Sequence, residues 1–264
     1  MKNLLTIPLV LVISMTISSC NNDDHRIERL CPLTGFSLHY ANEFSTRYEN
    51  IIQDGEIITT NIYTKHGVLE SLYVTSDISY DQKGRITLIS SKKTTGEPFD
   101  SYSLEFEYEE GKLNRQILAG SESNITFEYD NAGQVTQLTY LNDLAGTDTL
   151  SYIVNIFDHH GNVIAQEHFI PMEGSKYLVK DVTFQYGYDD HVNPLKGIHL
   201  YYEIDPIAFF SSNNVLWKKE ISSRGETTST TFSTYEYGVS GAPINKVTLG
   251  DGNKVEMKFN YECP

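Results

Sequence analysis

A short signal recurs along this chain: an aromatic residue, an acid, a brief polar link and a glycine. It reads Tyr80-Asp81…Gly84, Tyr108-Glu109…Gly111, Tyr129-Asp130…Gly133 and Phe157-Asp158…Gly161, with weaker versions at Tyr63…Gly67 and Tyr237…Gly241. Each part has a mechanical reason. An aspartate opening a type I turn accepts hydrogen bonds from the backbone N–H groups that follow it, and a glycine at the fourth position takes the positive φ from which the next strand starts. The aromatic before the turn can pack on an aliphatic after it, as Tyr80 on Ile86, Tyr129 on Val135 and Phe157 on Val163. Between turns the side chains alternate, with Ile125, Phe127 and Tyr129 set against Thr126, Glu128 and Asp130. This pattern specifies antiparallel hairpins, with Asp81, Gly84, Gly111, Asp130, Gly133, Asp158 and Gly161 as their turn residues.

The spacings from Tyr80 to Tyr108, Tyr129 and Phe157 are 28, 21 and 28 residues, so the chain is a meander of unequal hairpins rather than a strict solenoid or propeller. With 18 Tyr and 12 Phe and no long helical periodicity, the class is all-β. No Pro- or Ser-rich linker divides it, and residues 31–264 form a single domain. We expect roughly twelve to sixteen strands, curled toward a barrel or a strongly twisted sheet, because an open flat sheet leaves its edges ready to aggregate. One helix interrupts them near 206–211, where Asp205 is an N-cap and Pro206 a first helical residue. Its Ile207, Phe209 and Phe210 would plug an apolar opening.

Residues 1–19, "MKNLLTIPLVLVISMTISS", carry one lysine and an apolar run too short to span a bilayer, which is the form of a signal peptide. They end at Cys20 in "ISSC", the cleavage pattern of a bacterial lipoprotein precursor, so Cys20 is the expected lipidation site and residues 20–30 a lipidated tether. Removing residues 1–19 takes away Lys2 and no acid, leaving 19 basic residues against 35 acidic ones and a net charge of −16. Such a chain repels nucleic acid, and the lysine pairs at 92–93 and 218–219 are too short for a basic patch. The expected membrane contact is the lipid on Cys20. The acids Asp23 and Asp24 just after it favour the cell surface, with the periplasmic face of the outer membrane as the alternative. Cys31 and Cys263 remain, one near each end, and could pair in an oxidising compartment or stay as free thiols.

The loop "YDDHVNPLKGI", the following "FFSSNNV", the closing "YEYGVSGAPINKV" and the final "YEC" resemble a family of Bacteroidetes lipoproteins of uncharacterised function with a porin-like all-β fold. The resemblance implies a lipid-anchored, strand-rich barrel or curled sheet in the outer membrane envelope, and brings no activity or catalytic residues. The stretch "YDNAGQVTQLTY" is also similar to the YD repeats of the Rhs family, whose long shells use many regular units where this chain has few.

The residues offer little chemistry. His159 and His160 share a turn with Asp158, and His168 follows on the next strand, but adjacent strand residues point to opposite faces. His191 with Asp189 and Asp190 lacks the ordered spacing of an EF-hand. Glu109-Glu110 falls in a hairpin turn, where solvation competes with glycosidase work. No nucleophile elbow, P-loop or H-E-x-x-H pattern occurs, so neither catalytic residues, a cofactor nor a metal is expected. The expected function is a non-enzymatic, lipid-anchored scaffold that contacts an envelope protein or an external ligand. A glycan-binding accessory of a polysaccharide-uptake system and an envelope hydrolase are the alternatives. The alternation suits both a membrane barrel and a domain with an apolar interior, and the anchor together with charges such as Lys92, Lys93, Glu109 and Glu110 favours the latter.

Overall fold

The computed structural model describes residues 32–41, 43–94, 101–145, 148–196 and 207–262. Cys20, Cys31, Cys263, Asp205 and Pro206 lie outside the described residues. The first strands are β1 (Leu33–Tyr40), β2 (Phe44–Gln53), β3 (Glu56–His66), β4 (Leu69–Tyr80), β5 (Ile86–Lys93) and β6 (Ser101–Glu109). Next come β7 (Lys112–Leu118), β8 (Asn124–Tyr129), β9 (Val135–Leu141), β10 (Thr149–Phe157), β11 (Val163–Pro171) and β12 (Leu178–Val192). The helix α1 (Ile207–Phe210) precedes β13 (Asn213–Ser222), β14 (Thr227–Tyr237), β15 (Pro243–Gly250) and β16 (Asn253–Tyr261). Every strand pairs antiparallel with its neighbours in sequence, and β1 pairs with β16, so the sheet is a closed barrel of 16 strands. Closure removes both edges that an open meander would leave to other chains.

The recurring turns stand at one end, save the weaker one at Gly67 between β3 and β4, which is at the other. Gly84, Gly133 and Gly161 have φ of 73°, 80° and 80°, and their amides donate to the carbonyls of Asp81, Asp130 and Asp158. The aspartate side chains accept in turn from the backbone: Asp81 Oδ1 from Lys83 and Arg85, Asp130 Oδ1 from Gln134, and Asp158 Oδ1 from His160 and Asn162. The Asp81 carboxyl is held at about 2, chiefly by its bond from the Arg85 guanidinium and by backbone N–H donors. The turn at Gly111 is tighter. Glu109 pairs with Lys112 across Glu110 and Gly111, whose φ values are 50° and 85°.

Each turn is followed by a bulge. In every odd-numbered strand one residue near the start has no partner, so that Tyr80 faces Ile86 while Ser79 faces Leu88, leaving Thr87 extra. The same slip leaves Thr34, Ile58, Asn114, Thr136, Ile164, Leu216 and Ile244 extra. A bulge breaks the ladder and withdraws the preceding carbonyl from it. A buried carbonyl without a donor is costly. Here each one receives a side chain. Tyr80, Tyr108, Tyr129, Tyr188, Tyr235 and Tyr261 donate their hydroxyls to the carbonyls of Ile57, Ile86, Leu113, Val163, Val215 and Pro243 at 2.6–3.2 Å. Where no tyrosine serves, Asn50 and Asn155 donate their amides to Leu33 and Val135 at 3.1 and 2.9 Å. Seven sequential strand junctions and the β16–β1 seam are therefore fastened by one rule.

The barrel has no outer layer, so its buried face is the lumen. Toward the tyrosine end the lumen is packed by Phe36, Tyr48, Ile89, Phe106, Phe127 and Leu138, none more than 6% exposed. They belong to one buried cluster that also takes in Ile62, Leu104 and Met257. Helix α1 adds Ala208 and Phe209 to this core, while Ile207 packs with Val163 and Tyr186. Buried Asn193 holds it in place by donating to the carbonyls of Ala208 and Ser211. Outward positions on β2, β6, β8 and β16 carry charge, among them Arg47, Glu49, Glu105, Glu107, Glu128 and Lys258. On β10, β14 and β15 some outward positions are apolar instead, with Ile156, Phe232 and Leu249 exposed.

Burial pushes the Tyr80 phenol up to about 12, and burial also raises Tyr129, Tyr235 and Tyr261. A raised folded pKa favours the protonated fold. Its contribution is intact below the ordinary phenol value of about 10 and is lost as pH rises through the folded values. An alkaline titration followed by phenolate absorbance and circular dichroism should show these tethers ionising only as the barrel melts, above the ordinary phenol value of about 10. A single phenolate wave near 10 with the barrel intact would contradict this.

Candidate binding site in the lumen

Away from the tyrosine end the lumen changes character. Its inward positions become partly accessible and polar, above all on β10–β15. The wall begins with a buried chain of amides. Gln166 Nε2 donates to Asn155 Oδ1 at 2.9 Å, and the Tyr186 hydroxyl donates to Gln166 Oε1 at 3.3 Å. His168 Nε2 lies 3.2 Å from the same oxygen, and its ring meets the edge of Phe184 with centroids 5.0 Å apart.

Register carries this face onward. Phe184 pairs with Glu220 and Tyr186 with Lys218, which sets both β13 side chains inward. Lys218 Nζ stands 4.2 Å from the Phe184 ring centre. Lys218 pairs with Thr231, and two residues on Ser233 meets Thr248, their hydroxyls 2.9 Å apart. Lys246 is paired with Tyr235 and with buried Met257, and its Nζ is 5.5 Å from the Tyr235 ring. On the far wall Lys93 is paired with buried Val74, and its Nζ is 5.7 Å from the Tyr73 ring. Three lysines thus enter the lumen, each against an aromatic face, an attractive arrangement of up to about 2 kcal/mol when desolvated.

The sequence-level candidates fall elsewhere. The His159 and His160 rings are 3.7 Å apart in the exposed β10–β11 turn, while His168 faces the lumen. Asp189 is a largely buried carboxylate at the tyrosine end. It accepts from the backbone of His191 and Asn214, from the Asn214 amide and from the Tyr237 hydroxyl. Burial and then this bond raise the Tyr237 phenol. His191 stacks on Tyr237 with ring centres 3.9 Å apart, its Nδ1 3.0 Å from exposed Asp190. This cluster ties the end of β12 to β13 and β14. Among the described residues no three His, Cys, Asp or Glu side chains are grouped to hold a metal. Glu109 and Glu110 are exposed at the tyrosine end, far in register from the lumen lysines.

Sequence reading passed over the lumen lysines because it weighed 92–93 and 218–219 as pairs. On a strand such a pair splits, with Lys93 and Lys218 inward and Lys92 and Lys219 outward. The usable signal was the facing aromatic, one strand away.

A closed barrel, packed at one end and polar at the other, defines the class of protein. Among solved structures it is similar to a porin-like protein from Bacteroides vulgatus, with 12% identity, a TM-score of 0.55, and 89% of this chain and 100% of that one covered. A porin-like protein from Bacteroides uniformis is 11% identical over 88% of this chain and 98% of that one, with a TM-score of 0.49. The first likeness establishes a porin-like fold. No family model matches the chain, and no curated protein matches it.

Proposed function

We infer that this chain is a non-enzymatic, lipid-anchored barrel of the outer membrane whose open half binds a hydroxyl-bearing ligand from outside the cell. The observation that carries the reading is the division of the lumen, dry and plugged at one end, polar and accessible at the other. Hydroxyls, amides, ammonium groups and ring faces converge there on rigid strands, the setting in which small ligands are held. The outward charges and inward apolar core suit a barrel standing in water.

Orientation follows from the chain path. β1 starts and β16 ends at the tyrosine end. Cys20 precedes Leu33 by thirteen residues, so a lipid there attaches the packed end to the membrane and turns the open end outward. Binding rather than hydrolysis is favoured because the Glu109-Glu110 pair stands in solvent at the opposite end. The processed full chain should bind members of a glycan array and partition into detergent. Thr248→Trp, placed in the open half, should abolish binding with little change in thermal midpoint, and Cys20→Ala should leave binding but lose detergent partition. Binding unaffected by Thr248→Trp would refute the lumen site. Detergent partition of Cys20→Ala at the processed mass would refute the anchor.

The seam carries a second part of the reading. Glu262 N donates to Pro32 O at 3.2 Å, and Leu33 faces Tyr261. Cys31 and Cys263 are the next residues in sequence beyond this bonded pair. A Cys31–Cys263 disulfide would close a loop of 233 residues and stabilise the fold by at most roughly 5 kcal/mol. Mass spectrometry of unreduced, alkylated protein should recover the linked peptides; both cysteines alkylated would end the idea.

A further inference from the structure

We propose that the outer face of the barrel carries a second ligand site, a strip of side chains on β13–β15 that stacks against the flat faces of a pyranose oligomer. It lies outside the lumen and does not depend on it. Gly187, Trp217, Phe232 and Leu249 are paired in one row across β12, β13, β14 and β15. The row faces outward, because Tyr186 and Lys218, the chain neighbours of Gly187 and Trp217, face the lumen. A Cβ on Gly187 would overlap the indole atoms Nε1, Cε2 and Cδ1 of Trp217. The indole therefore lies across the glycine backbone, with one ring face on the sheet and the other turned away from the barrel. Phe232 is 59% exposed and Leu249 52%. Covering Gly187 accounts for the inner face of the indole, but not for an exposed phenylalanine beside it.

The shape of the strip decides what it can hold. Strands stand about 4.8 Å apart and side chains of one face about 7 Å apart along a strand, so from Gly187 to Leu249 the row is about 14 Å long and one side chain tall. Polar groups border both long edges. Gln185, Lys219 and Thr230 form the next row toward the open end. Thr234 and Glu256 stand in the next row toward the tyrosine end, with half-buried Val247 between them, and Lys254 closes the strip beyond Leu249. Exposed Ile156 and Ile164 lie on β10 and β11, across β12 from Trp217. A second copy of the chain needs about 800 Å² of each partner, and a bilayer needs an apolar face several side chains wide. Three side chains in single file supply neither. A pyranose has apolar C–H faces and a rim of hydroxyls. Two or three linked rings can lie on Trp217, Phe232 and Leu249 while their hydroxyls reach the amide, ammonium, hydroxyl and carboxylate groups on either side.

An open strip covers only one face of a sugar, so it binds as a shallow site does and is read in solution at millimolar sugar rather than on a washed array. Trp217 is the only tryptophan of the chain, so its emission reports this strip. Titrating the processed full chain with cellotetraose, xylotetraose and maltotetraose should shift or quench that emission saturably for at least one of them. Phe232→Ala should weaken the binding about three- to tenfold, the scale of one ring contact. Gly187→Ala, which lifts the indole off the sheet, should do the same with the circular dichroism of the barrel unchanged. Thr248→Trp, whose new side chain enters the lumen, should leave the calorimetric affinity for that sugar unchanged, which separates a failure of this site from a failure of the lumen reading. No emission change with any of the three sugars, or binding indifferent to both Phe232→Ala and Gly187→Ala, would overturn the proposal. Sedimentation as a dimer that Phe232→Ala dissociates would overturn it too, since the strip would then be an interface between copies.

Discussion

A carbonyl excluded from a β-ladder must find a donor or the strand will not stay where it is. This protein creates eight such carbonyls, one beside each bulge at the start of an odd-numbered strand, and satisfies each with a tyrosine hydroxyl or an asparagine amide from the neighbouring strand. The bulge bends and twists the sheet, and the side chain fixes the bend. The bonds also join one hairpin to the next. Tyr80 faces Ile86 across its turn, and the Ile86 carbonyl accepts from Tyr108; Tyr108 faces Leu113, whose carbonyl accepts from Tyr129. The series passes through the seam, where Leu33 faces Tyr261 and accepts from Asn50. Closure is therefore the same local event as every other junction, repeated where the two ends of the chain meet.

Fastening one end leaves the other free to differ. Because the ring of tethers, the plug of α1 and the aromatic core all lie toward the tyrosine end, stability is concentrated there. The rest of the lumen can carry lysines, amides and hydroxyls that a packed core would not tolerate. A lysine inside a barrel is expensive unless its charge has a use or a partner. Lys93, Lys218 and Lys246 each rest on an aromatic face. The fold holds a polar recess on a rigid frame.

Much of this architecture was legible in the residues. The aromatic–acid–glycine turns, the all-β class and the short helix follow from turn chemistry and alternation, while edge avoidance left a barrel and a strongly twisted sheet both open. The tethers were not, because a tyrosine before a turn reads as packing, and nothing in the sequence shows that its hydroxyl reaches back to the preceding strand. Phe157 shows the difficulty. It occupies the aromatic position without a hydroxyl, and Asn155, two residues earlier on the same face, takes over the task. Asn50 does the same beside a turn, Asp54-Gly55, that lacks the aromatic signal. The lumen lysines were hidden for a related reason. Which face a side chain takes depends on register, and a bulge in every odd strand shifts that register by one residue.

Hydrogen–deuterium exchange on the intact chain tests the central claim most directly, since it reads the seam and the two halves of the barrel at once. The account predicts that amides of β1 and β16 exchange as slowly as those of interior strands, and that in every strand protection is greatest toward the tyrosine end. Rapid exchange along β1 and β16, as from the free edges of an open sheet, would contradict it.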